Sequence, residues 1–177
     1  RVFAEKGAEV SLITGPTQQI IEHSNVIRYD VKNAAQMYDK TVECFESCDI
    51  AILSAAVADY TPKSTFDTKL KKKTDNLVVE LVPTKDILAE LGRRKKENQI
   101  LVGFALETDN ELENAKEKLI RKKLDCIVLN SLNDQGAGFN VPTNKVTILD
   151  AKGNIYNSDL KSKYEVALDI SEKILNL

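Results

Sequence analysis

The sequence predicts an α/β fold with a doubly wound, mostly parallel sheet that ends in a β-hairpin and a helix. Segments rich in β-formers alternate with segments of helical periodicity along most of the chain, and this order is typical of βαβ units. The segment 49–56 contains the apolar run Ile50-Ala51-Ile52-Leu53, as expected of a central strand that helices cover on both faces. A turn at Gly153 between two strand patterns predicts the hairpin.

The other strands are predicted from short apolar or alternating runs bounded by turn residues. They lie at 9–14, 26–31, 77–82, 100–105 and 125–130, with the hairpin strands at 145–150 and 154–157. Residues 1–6 are expected to be the tail of a helix that Gly7 stops, so further structure is expected ahead of Arg1.

Four helices are predicted from apolar residues at helical spacing. Asn33 is expected to cap the helix over 33–47, Thr84 the next, and Thr108 the third, through a capping box with Glu111. The residues predicted to be buried are Ala34, Tyr38, Val42 and Phe45 in the first helix, Ile87, Leu88 and Leu91 in the second, Leu112, Ala115 and Leu119 in the third, and Tyr164, Ala167, Leu168, Ser171, Ile174 and Leu175 in the last.

Composition predicts one soluble domain over residues 1–177, because 42% of the residues are hydrophobic and 29% are charged. No apolar run reaches the roughly 20 residues of a membrane helix, no targeting signal opens the chain, and a formal net charge of -2 gives no basic excess for nucleic acid. Three cysteines without disulfide-framework spacing favour the reducing cytoplasm. With one histidine in the chain, no metal site formed by side chains is predicted.

Candidate ligand-binding residues follow the central strand, because doubly wound sheets bind ligands at the carboxyl ends of their strands. Ser54, Ala55 and Ala56 are small enough to let a ligand approach the backbone, and Asp59 is placed to hold ribose hydroxyls. Tight helix–sheet packing followed by an exposed acid explains the same residues equally well.

Two groups of cations are candidates for neutralising a polyphosphate. Residues 69–73 carry four lysines in a long loop, where a lysine can meet the charge of a leaving pyrophosphate when the loop closes. A solvated lysine run is the alternative. Lys118, Arg121 and Lys122 share a helix face, either as a phosphate clamp or as cations that favour the helix C-terminus.

Two weaker signals complete the candidate site. The backbone N–H groups of Lys85, Asp86 and Ile87 lie at the start of a predicted helix. They offer a binding site for an anion or for the polar edge of a ligand. Phe104 ends a predicted strand, where an aromatic face can stack on a base, although most phenylalanines in such positions belong to the core.

Several motifs, taken together and in order, resemble those of the phosphopantothenate–cysteine ligases, including the C-terminal half of the bifunctional bacterial ligase/decarboxylase. The similarity runs from about Gly7 to the last helix. The motifs are Ala55-Ala56-Val57-Ala58-Asp59-Tyr60, Lys69-Leu70-Lys71-Lys72, Gly103-Phe104-Ala105-Leu106-Glu107-Thr108, Arg121-Lys122-Lys123-Leu124-Asp125, Asn130 and Gly138-Phe139-Asn140.

The resemblance implies a Rossmann-like, cytoplasmic, homodimeric enzyme of coenzyme A biosynthesis, possessing in some members a decarboxylase domain upstream. It would use CTP rather than ATP, with Mg²⁺, to activate 4'-phosphopantothenate as an acyl-cytidylate that cysteine then attacks. Lys69 would be catalytic, and Ala56 would contact the substrate. The nucleotide would be bound by Leu53, Ser54, Ala55, Asp59, Lys69, Lys85, Asp86, Ile87, Leu88, Phe104, Lys118 and Lys122.

Members of that family also carry a strand and a glycine- and serine-rich loop ahead of the position of Arg1, which this sequence lacks. Two other functions remain open on the residues alone. An NAD(P)-dependent oxidoreductase would use the same strand–helix order, although no G-x-G-x-x-G is present. A non-catalytic nucleotide-binding module would leave the lysine loop as solvated charge.

Overall fold

The computed structural model describes residues 1–64, 68, 77–107, 109–131 and 141–177, with the backbone alone at residue 131. The helices in these ranges are α1 (Val2–Glu5), α2 (Ala34–Phe45), α3 (Ile87–Arg94), α4 (Glu111–Arg121) and α5 (Lys163–Leu175). The strands are β1 (Val10–Thr14), β2 (Val26–Asp30), β3 (Ile50–Leu53), β4 (Tyr60–Pro62), β5 (Leu81–Pro83), β6 (Ile100–Glu107), β7 (Cys126–Ser131), β8 (Thr143–Asn144), β9 (Val146–Asp150), β10 (Ile155–Asn157) and β11 (Lys161–Ser162).

A five-stranded sheet in the order β10-β9-β7-β6-β3 forms the centre of the molecule. β3, β6 and β7 run parallel, whereas β9 is antiparallel to β7 and forms a hairpin with β10. Gly153 lies in the turn of this hairpin with a φ of 89°, a conformation that glycine adopts at little cost. The predicted α/β class, with its mostly parallel sheet and terminal hairpin and helix, is confirmed.

Apolar clusters lie on both faces of this sheet. One cluster joins residues of α2, α3 and α4 to one face of the strands and includes Phe45, Leu91 and Ile127. The other joins α5 to the opposite face and includes Val128 and Ile170, with Phe3 of α1 packed against it. The sheet is therefore covered from both sides, as a doubly wound sheet requires.

The remaining strands form three two-stranded sheets. β1 and β2 pair in parallel, and they are not hydrogen-bonded to β3. β4 pairs with β5 in an antiparallel arm, and β8 pairs with β11. The predicted central position of 49–56 is wrong, because β3 ends at Leu53 and forms the outer strand of the five-stranded sheet.

Two predicted helix caps are wrong. Asp86, not Thr84, caps α3, and its side chain accepts a hydrogen bond from the backbone N–H of Ala89. Asn110 is the N-cap residue of α4, because β6 continues to Glu107 and the helix starts later than predicted. Thr108 itself lies outside the described residues. The cap at Asn33 is confirmed, since its side chain accepts from the N–H of Gln36.

Two apolar segments also depart from prediction. Of the predicted strand 77–82, only Leu81 and Val82 lie in β5, and Val78 is 88% exposed because 77–80 lies away from both clusters. In α5 the buried residues are Val166, Ile170, Ser171 and Ile174. Tyr164, Leu168 and Leu175, predicted to be buried, are exposed. Ser171 and Ile174 are buried as predicted. The apolar residues of this helix cover more than one face, so periodicity alone did not show that Val166 and Ile170 complete the buried stripe.

Candidate functional site

A cleft with a volume of about 1270 Å³ separates β1 from β3 and opens past the carboxyl end of β3. Its walls are β1, α2 and β3, and its mouth is formed by the start of α3, the end of β6 and one face of α4. In doubly wound sheets this is the region where the strand order reverses and where ligands bind.

The end of β3 and the start of α3 are tied together at the mouth of the cleft. The Thr84 hydroxyl donates to the Ala58 carbonyl at 2.7 Å, and the Thr84 N–H donates to the Asp59 carbonyl at 2.8 Å. Ser54, Ala55 and Asp59 are exposed and line the cleft. Thr84 therefore holds the small residues after β3 beside the first turn of α3, instead of capping that helix.

A carboxylate caps the start of α3. Asp86 forms an ion pair with Lys122 of α4 and accepts from the N–H of Ala89 at 2.9 Å. Partial burial opposes ionisation of Asp86, but the hydrogen bonds from Lys122 and Ala89 outweigh it, so the pKa of this carboxyl lies below its usual value. Because Asp86 is already anionic, this helix start favours a hydroxyl or amino group of a ligand over a phosphate.

The cations of α4 reach the same place. The Lys118 ammonium donates to the Phe104 carbonyl at 2.9 Å, and the Lys122 side chain is largely buried at 14% exposure. α3 lies so close to the end of α4 that a Cβ at Gly92 would collide with the Lys122 carbonyl. Glycine at this position therefore allows the approach that brings Lys122 to Asp86.

An aromatic residue positions another cation at the mouth. The Lys85 ammonium lies 4.4 Å from the centre of the Tyr38 ring, within the range of a cation–π contact. Phe104 is partly buried against the cluster that contains α5 and also lines the cleft. It is thus both a core residue and a wall of the site.

The predicted site residues largely converge. Those that line the one cleft are Leu53, Ser54, Ala55, Asp59, Lys85, Asp86, Ile87, Leu88, Phe104, Lys118 and Lys122. Ala56 is exposed but is not among the lining residues. Lys69, with the other lysines of 69–73, and the motif Gly138-Phe139-Asn140 lie outside the described residues.

Sequence reasoning missed the tether at Thr84 and the contribution of β1, whose Val10, Leu12 and Ile13 line the cleft. One signal was available for β1, since an apolar strand early in a doubly wound chain lies close to the point of strand reversal. No sequence signal indicated the hydrogen bonds of Thr84 to Ala58 and Asp59, because a threonine just before a helix is also typical of an N-cap.

Two further properties concern the described ranges alone. There, no group of three or more histidine, cysteine, aspartate or glutamate side chains is placed to hold a metal ion. Of the helices in those ranges, none combines the length and the apolar character that crossing a bilayer requires.

The fold and cleft define a doubly wound α/β domain with a ligand crevice at its strand reversal. Residues 1–177 match the model of the DNA/pantothenate metabolism flavoprotein C-terminal domain. The chain belongs to this family.

Two curated relatives match nearly the whole chain. It is 43% identical over 171 residues to the coenzyme A biosynthesis bifunctional protein CoaBC of Bacillus subtilis strain 168, covering 97% of this chain and 42% of that protein. It is 55% identical over 174 residues to a cysteine/cysteine sulfinic acid decarboxylase of an unknown prokaryotic organism, covering 98% of this chain and 48% of that protein. The chain thus spans about half the length of each relative.

Solved structures agree on the fold. The crystal structure of the C-terminal domain of CoaBC has a TM-score of 0.80 and 35% identity, covering 98% of this chain and 76% of that one. A DNA/pantothenate metabolism flavoprotein from Streptococcus pneumoniae has a TM-score of 0.79 at 23% identity, covering 98% and 83%. The second likeness, at this identity, supports the fold alone.

Proposed function

We propose that this chain carries the ligase activity that joins 4'-phosphopantothenate to cysteine in coenzyme A biosynthesis, with CTP as the activating nucleotide. The substrate carboxylate attacks the α-phosphorus of CTP, which forms an acyl-cytidylate and breaks the bond to pyrophosphate. The cysteine amine then attacks the acyl carbon and expels CMP. One observation carries the proposal: Lys118 and Lys122 share a cleft with the exposed backbone at Ser54 and Ala55.

The comparisons support the reaction class, because a 43% identical relative is named a coenzyme A biosynthesis protein. The charges of the cleft support the use of a triphosphate, since activation of a carboxylate requires cations near the developing pyrophosphate charge. Magnesium binds through one or two carboxylates plus substrate phosphates. In this proposal it arrives with the nucleotide.

Each lining residue has a role in the proposal. Lys118 and Lys122 bind the triphosphate, Asp59 accepts from the ribose hydroxyls, and Phe104 packs against the nucleotide. The α3 start, from Lys85 to Leu88, contacts the base or sugar through its backbone, with Asp86 as acceptor. When the nucleotide binds, Lys122 contacts a phosphate as well as Asp86. This change costs little, because the ion pair of Lys122 with Asp86 already lies at the cleft mouth. Leu53, Ser54 and Ala55 bring backbone against the nucleotide, and Ala56 contacts the pantothenate substrate.

Lys69 completes the proposal as the catalytic residue that meets the leaving pyrophosphate. The resemblance of Lys69-Leu70-Lys71-Lys72 to the family motif supports this role. In the same proposal the reaction takes place in the cytoplasm, and a decarboxylase unit precedes this domain, as the bifunctional name of a relative suggests.

The test is pyrophosphate release from CTP, and in parallel from ATP, by the full-length protein. Release is expected to depend on 4'-phosphopantothenate and to collapse in Lys69→Ala. Lys122→Ala is expected to lower kcat/KM by about 10- to 100-fold, the loss typical of a hydrogen bond to a charged group. Lys116→Ala is the matched control, because Lys116 pairs with Glu113 on the same helix and does not line the cleft.

Release that is independent of phosphopantothenate, or equal in Lys122→Ala and Lys116→Ala, would contradict the proposal. Nicotinamide reduction followed by absorbance in the same samples tests the oxidoreductase alternative. Nucleotide binding without turnover would favour a binding module.

The decarboxylase name of the 55% identical relative defines a second candidate. Release of CO₂ from cysteine or cysteine sulfinate by the full-length protein, with no requirement for CTP, would favour it. The two outcomes are separable, because the ligase needs the cations of α4 and a nucleotide, whereas amino-acid decarboxylation needs neither.

We also propose a homodimer that forms through the β4–β5 arm. Leu77, Val78, Val79 and Leu81 are each more than half exposed. Among the described residues β5 pairs only with β4, and an apolar extended segment beside such a strand edge favours pairing with a second copy. Sedimentation of Val78→Lys is expected to show a monomer, with Ile120→Lys, also exposed and apolar in the wild type, unchanged. A wild-type monomer, or an unaltered dimer in Val78→Lys, would contradict this interface.

A further inference from the structure

We infer that Tyr38 of α2 positions the Lys85 ammonium as a phosphate-binding cation on the α2 side of the cleft. The ligand class is a phosphoryl group, carried by the nucleotide or by the second substrate. The inference rests on the proposed function for the choice of these two ligands. It also goes beyond that function, in which Lys85 acts through its backbone alone and Tyr38 has no role.

The backbone around Lys85 is fixed on both sides. Before it, Thr84 donates to the Asp59 carbonyl through its N–H at 2.8 Å and to the Ala58 carbonyl through its hydroxyl at 2.7 Å. After it, the Asp86 carboxylate caps α3 and forms an ion pair with α4. Because both neighbours are held, the point at which the Lys85 side chain leaves the backbone is held as well.

An aromatic ring supports the other end of this side chain. The Lys85 ammonium lies 4.4 Å from the centre of the Tyr38 ring, a distance typical of a cation–π contact. Tyr38 is partly buried and packs against the cluster that contains Phe45, and an ion pair between Arg94 and Glu46 at 3.3 Å joins the C-terminal ends of α3 and α2. The ring is therefore a fixed support, and it reduces the entropy that the lysine loses when a ligand orders it.

A ring and a carboxylate hold a lysine with different consequences. A carboxylate neutralises the ammonium and competes with an incoming anion, whereas the face of a ring attracts the cation without carrying a net charge. Lys85 forms no ion pair with any residue that the structure describes. Its ammonium has three N–H donors, and the ring covers one side of it. Lys85 thus keeps its charge and free donors for an anion while it lies on Tyr38.

The location of Lys85 favours a phosphoryl group as that anion. Lys85 is exposed and lines the same cleft as Lys118 and Lys122 of α4. The charge of the adjacent Asp86 is already balanced by Lys122. A phosphoryl group offers several strong acceptor oxygens at once, so cations from different elements can bind it together. This arrangement therefore adds a third lysine to the phosphate-binding cations of the cleft.

Equilibrium binding of CTP, 4'-phosphopantothenate and pantothenate to the full-length protein tests the inference. Lys85→Met keeps an apolar stem and removes the charge, so it is expected to weaken binding of CTP, of 4'-phosphopantothenate or of both by about 10-fold. Lys85→Arg, which keeps the charge, should restore most of the affinity. Lys40→Met is the matched control, because the Lys40 ammonium lies 4.7 Å from the centre of the Tyr29 ring and does not line the cleft.

The ligand that loses affinity identifies the source of the phosphoryl group. A loss for CTP alone assigns Lys85 to the nucleotide phosphates, and a loss for 4'-phosphopantothenate that pantothenate does not share assigns it to the phosphate of that substrate. An equal loss for pantothenate, with CTP unaffected, would assign Lys85 to the carboxylate and would overturn the inference.

Tyr38 is tested as a positioning residue by two substitutions. Tyr38→Leu removes the ring and is expected to weaken binding of the same ligand by about 2- to 5-fold, whereas Tyr38→Phe keeps the ring and should bind like the wild type. The NMR shifts of the Lys85 ε-methylene protons give a readout that a merely structural role would not move. The ring should displace these shifts in the wild type and in Tyr38→Phe, and they should return to those of a free lysine in Tyr38→Leu.

Three results would count against the inference. Equal affinities of the wild type and Lys85→Met for all three ligands, or an equal loss in Lys40→Met, would overturn it and leave the proposed function standing. Unchanged binding and unchanged Lys85 shifts in Tyr38→Leu would overturn the role of Tyr38. A wild-type protein that binds neither CTP nor 4'-phosphopantothenate would contradict the proposed function itself, so the two failures are distinguishable.

Discussion

The two sides of the cleft are held in place by different means. On one side β6 and β7 are paired along their lengths, and Leu101, Val102, Ile127 and Val128 are fully buried. On the other side β1 and β2 contain no buried residue, and their Ile27 is 61% exposed. The first side has its own core, whereas the second depends on its contacts with α2.

This difference explains where the site lies. The cations Lys118 and Lys122 come from the well-packed side, where α4 and α3 fix their positions. The cleft itself is bounded by the less packed side, which leaves room for a ligand. Cations held by packed helices beside this open cleft place the ligand at the junction of the two sides, as in other doubly wound folds.

The largest loss of stability is expected from a substitution on the packed side of the cleft. Ile127→Ala should lower the free energy of unfolding by about 2–5 kcal/mol, because it leaves a cavity in a fully buried site. Ile27→Ala, the matched change on β2, should cost less than about 1 kcal/mol. Urea unfolding measures both. Equal losses at the two sites would show that both sides are packed alike.

The next effect concerns the approach of α3 to α4. Gly92→Ala should lower the free energy of unfolding by about 1–3 kcal/mol, because the new methyl group meets the backbone carbonyl of Lys122. The variant should also bind CTP more weakly, since Lys122 moves. Gly15→Ala is the control, because a Cβ there would meet no atom within 4 Å. A fully stable Gly92→Ala protein would contradict the close approach.

A smaller effect is expected at the tether between the β3 end and α3. Thr84→Val removes the hydroxyl that donates to the Ala58 carbonyl and should cost about 1 kcal/mol, measured by thermal unfolding. Thr17→Val, at an exposed threonine whose hydroxyl accepts from Gln19, should change little. If Thr84→Val were as stable as the control, the hydroxyl would have no part in joining the two segments.

The smallest effect is a pH dependence at Asp86. The pKa of this carboxyl is lowered in the folded chain, so its contribution to stability is present above its unfolded value of about 3.9 and is lost as pH falls through the lower folded value. The difference in unfolding free energy between wild type and Asp86→Asn should therefore be constant from neutral pH to about pH 5 and shrink below about pH 4. A difference that grows on acidification would have the wrong sign.

Much of the fold could be predicted because strong local patterns agree with the tertiary structure. The cap at Asn33 and the glycine turn at Gly153 each have one favourable interpretation, and the structure has it. The run at Ile50 to Leu53 forms a strand as predicted, although not at the centre of the sheet. The arm at 77–83 could not be predicted, because alternation shows that a segment is extended without showing what it packs against. The two faces of α5 posed the same problem.

Within the candidate site, residue type and position after strands brought Ser54, Ala55, Asp59 and Phe104 to one place. The pairing of Asp86 with Lys122 could not be predicted, because it depends on the distance between two helices that Gly92 sets. The separation of β1 and β2 from the five-stranded sheet could also not be predicted, since the sequence does not show which strands are neighbours.

The most direct test of the central claim is the change in backbone amide chemical shifts when CTP is added to the isotopically labelled protein. The account predicts perturbations at Ser54, Ala55 and the first turn of α3, with little change at Val166 and Ile170 on the far face of the sheet. Perturbations confined to α5, or spread evenly over the surface, would contradict a nucleotide site in the cleft between β1 and β3.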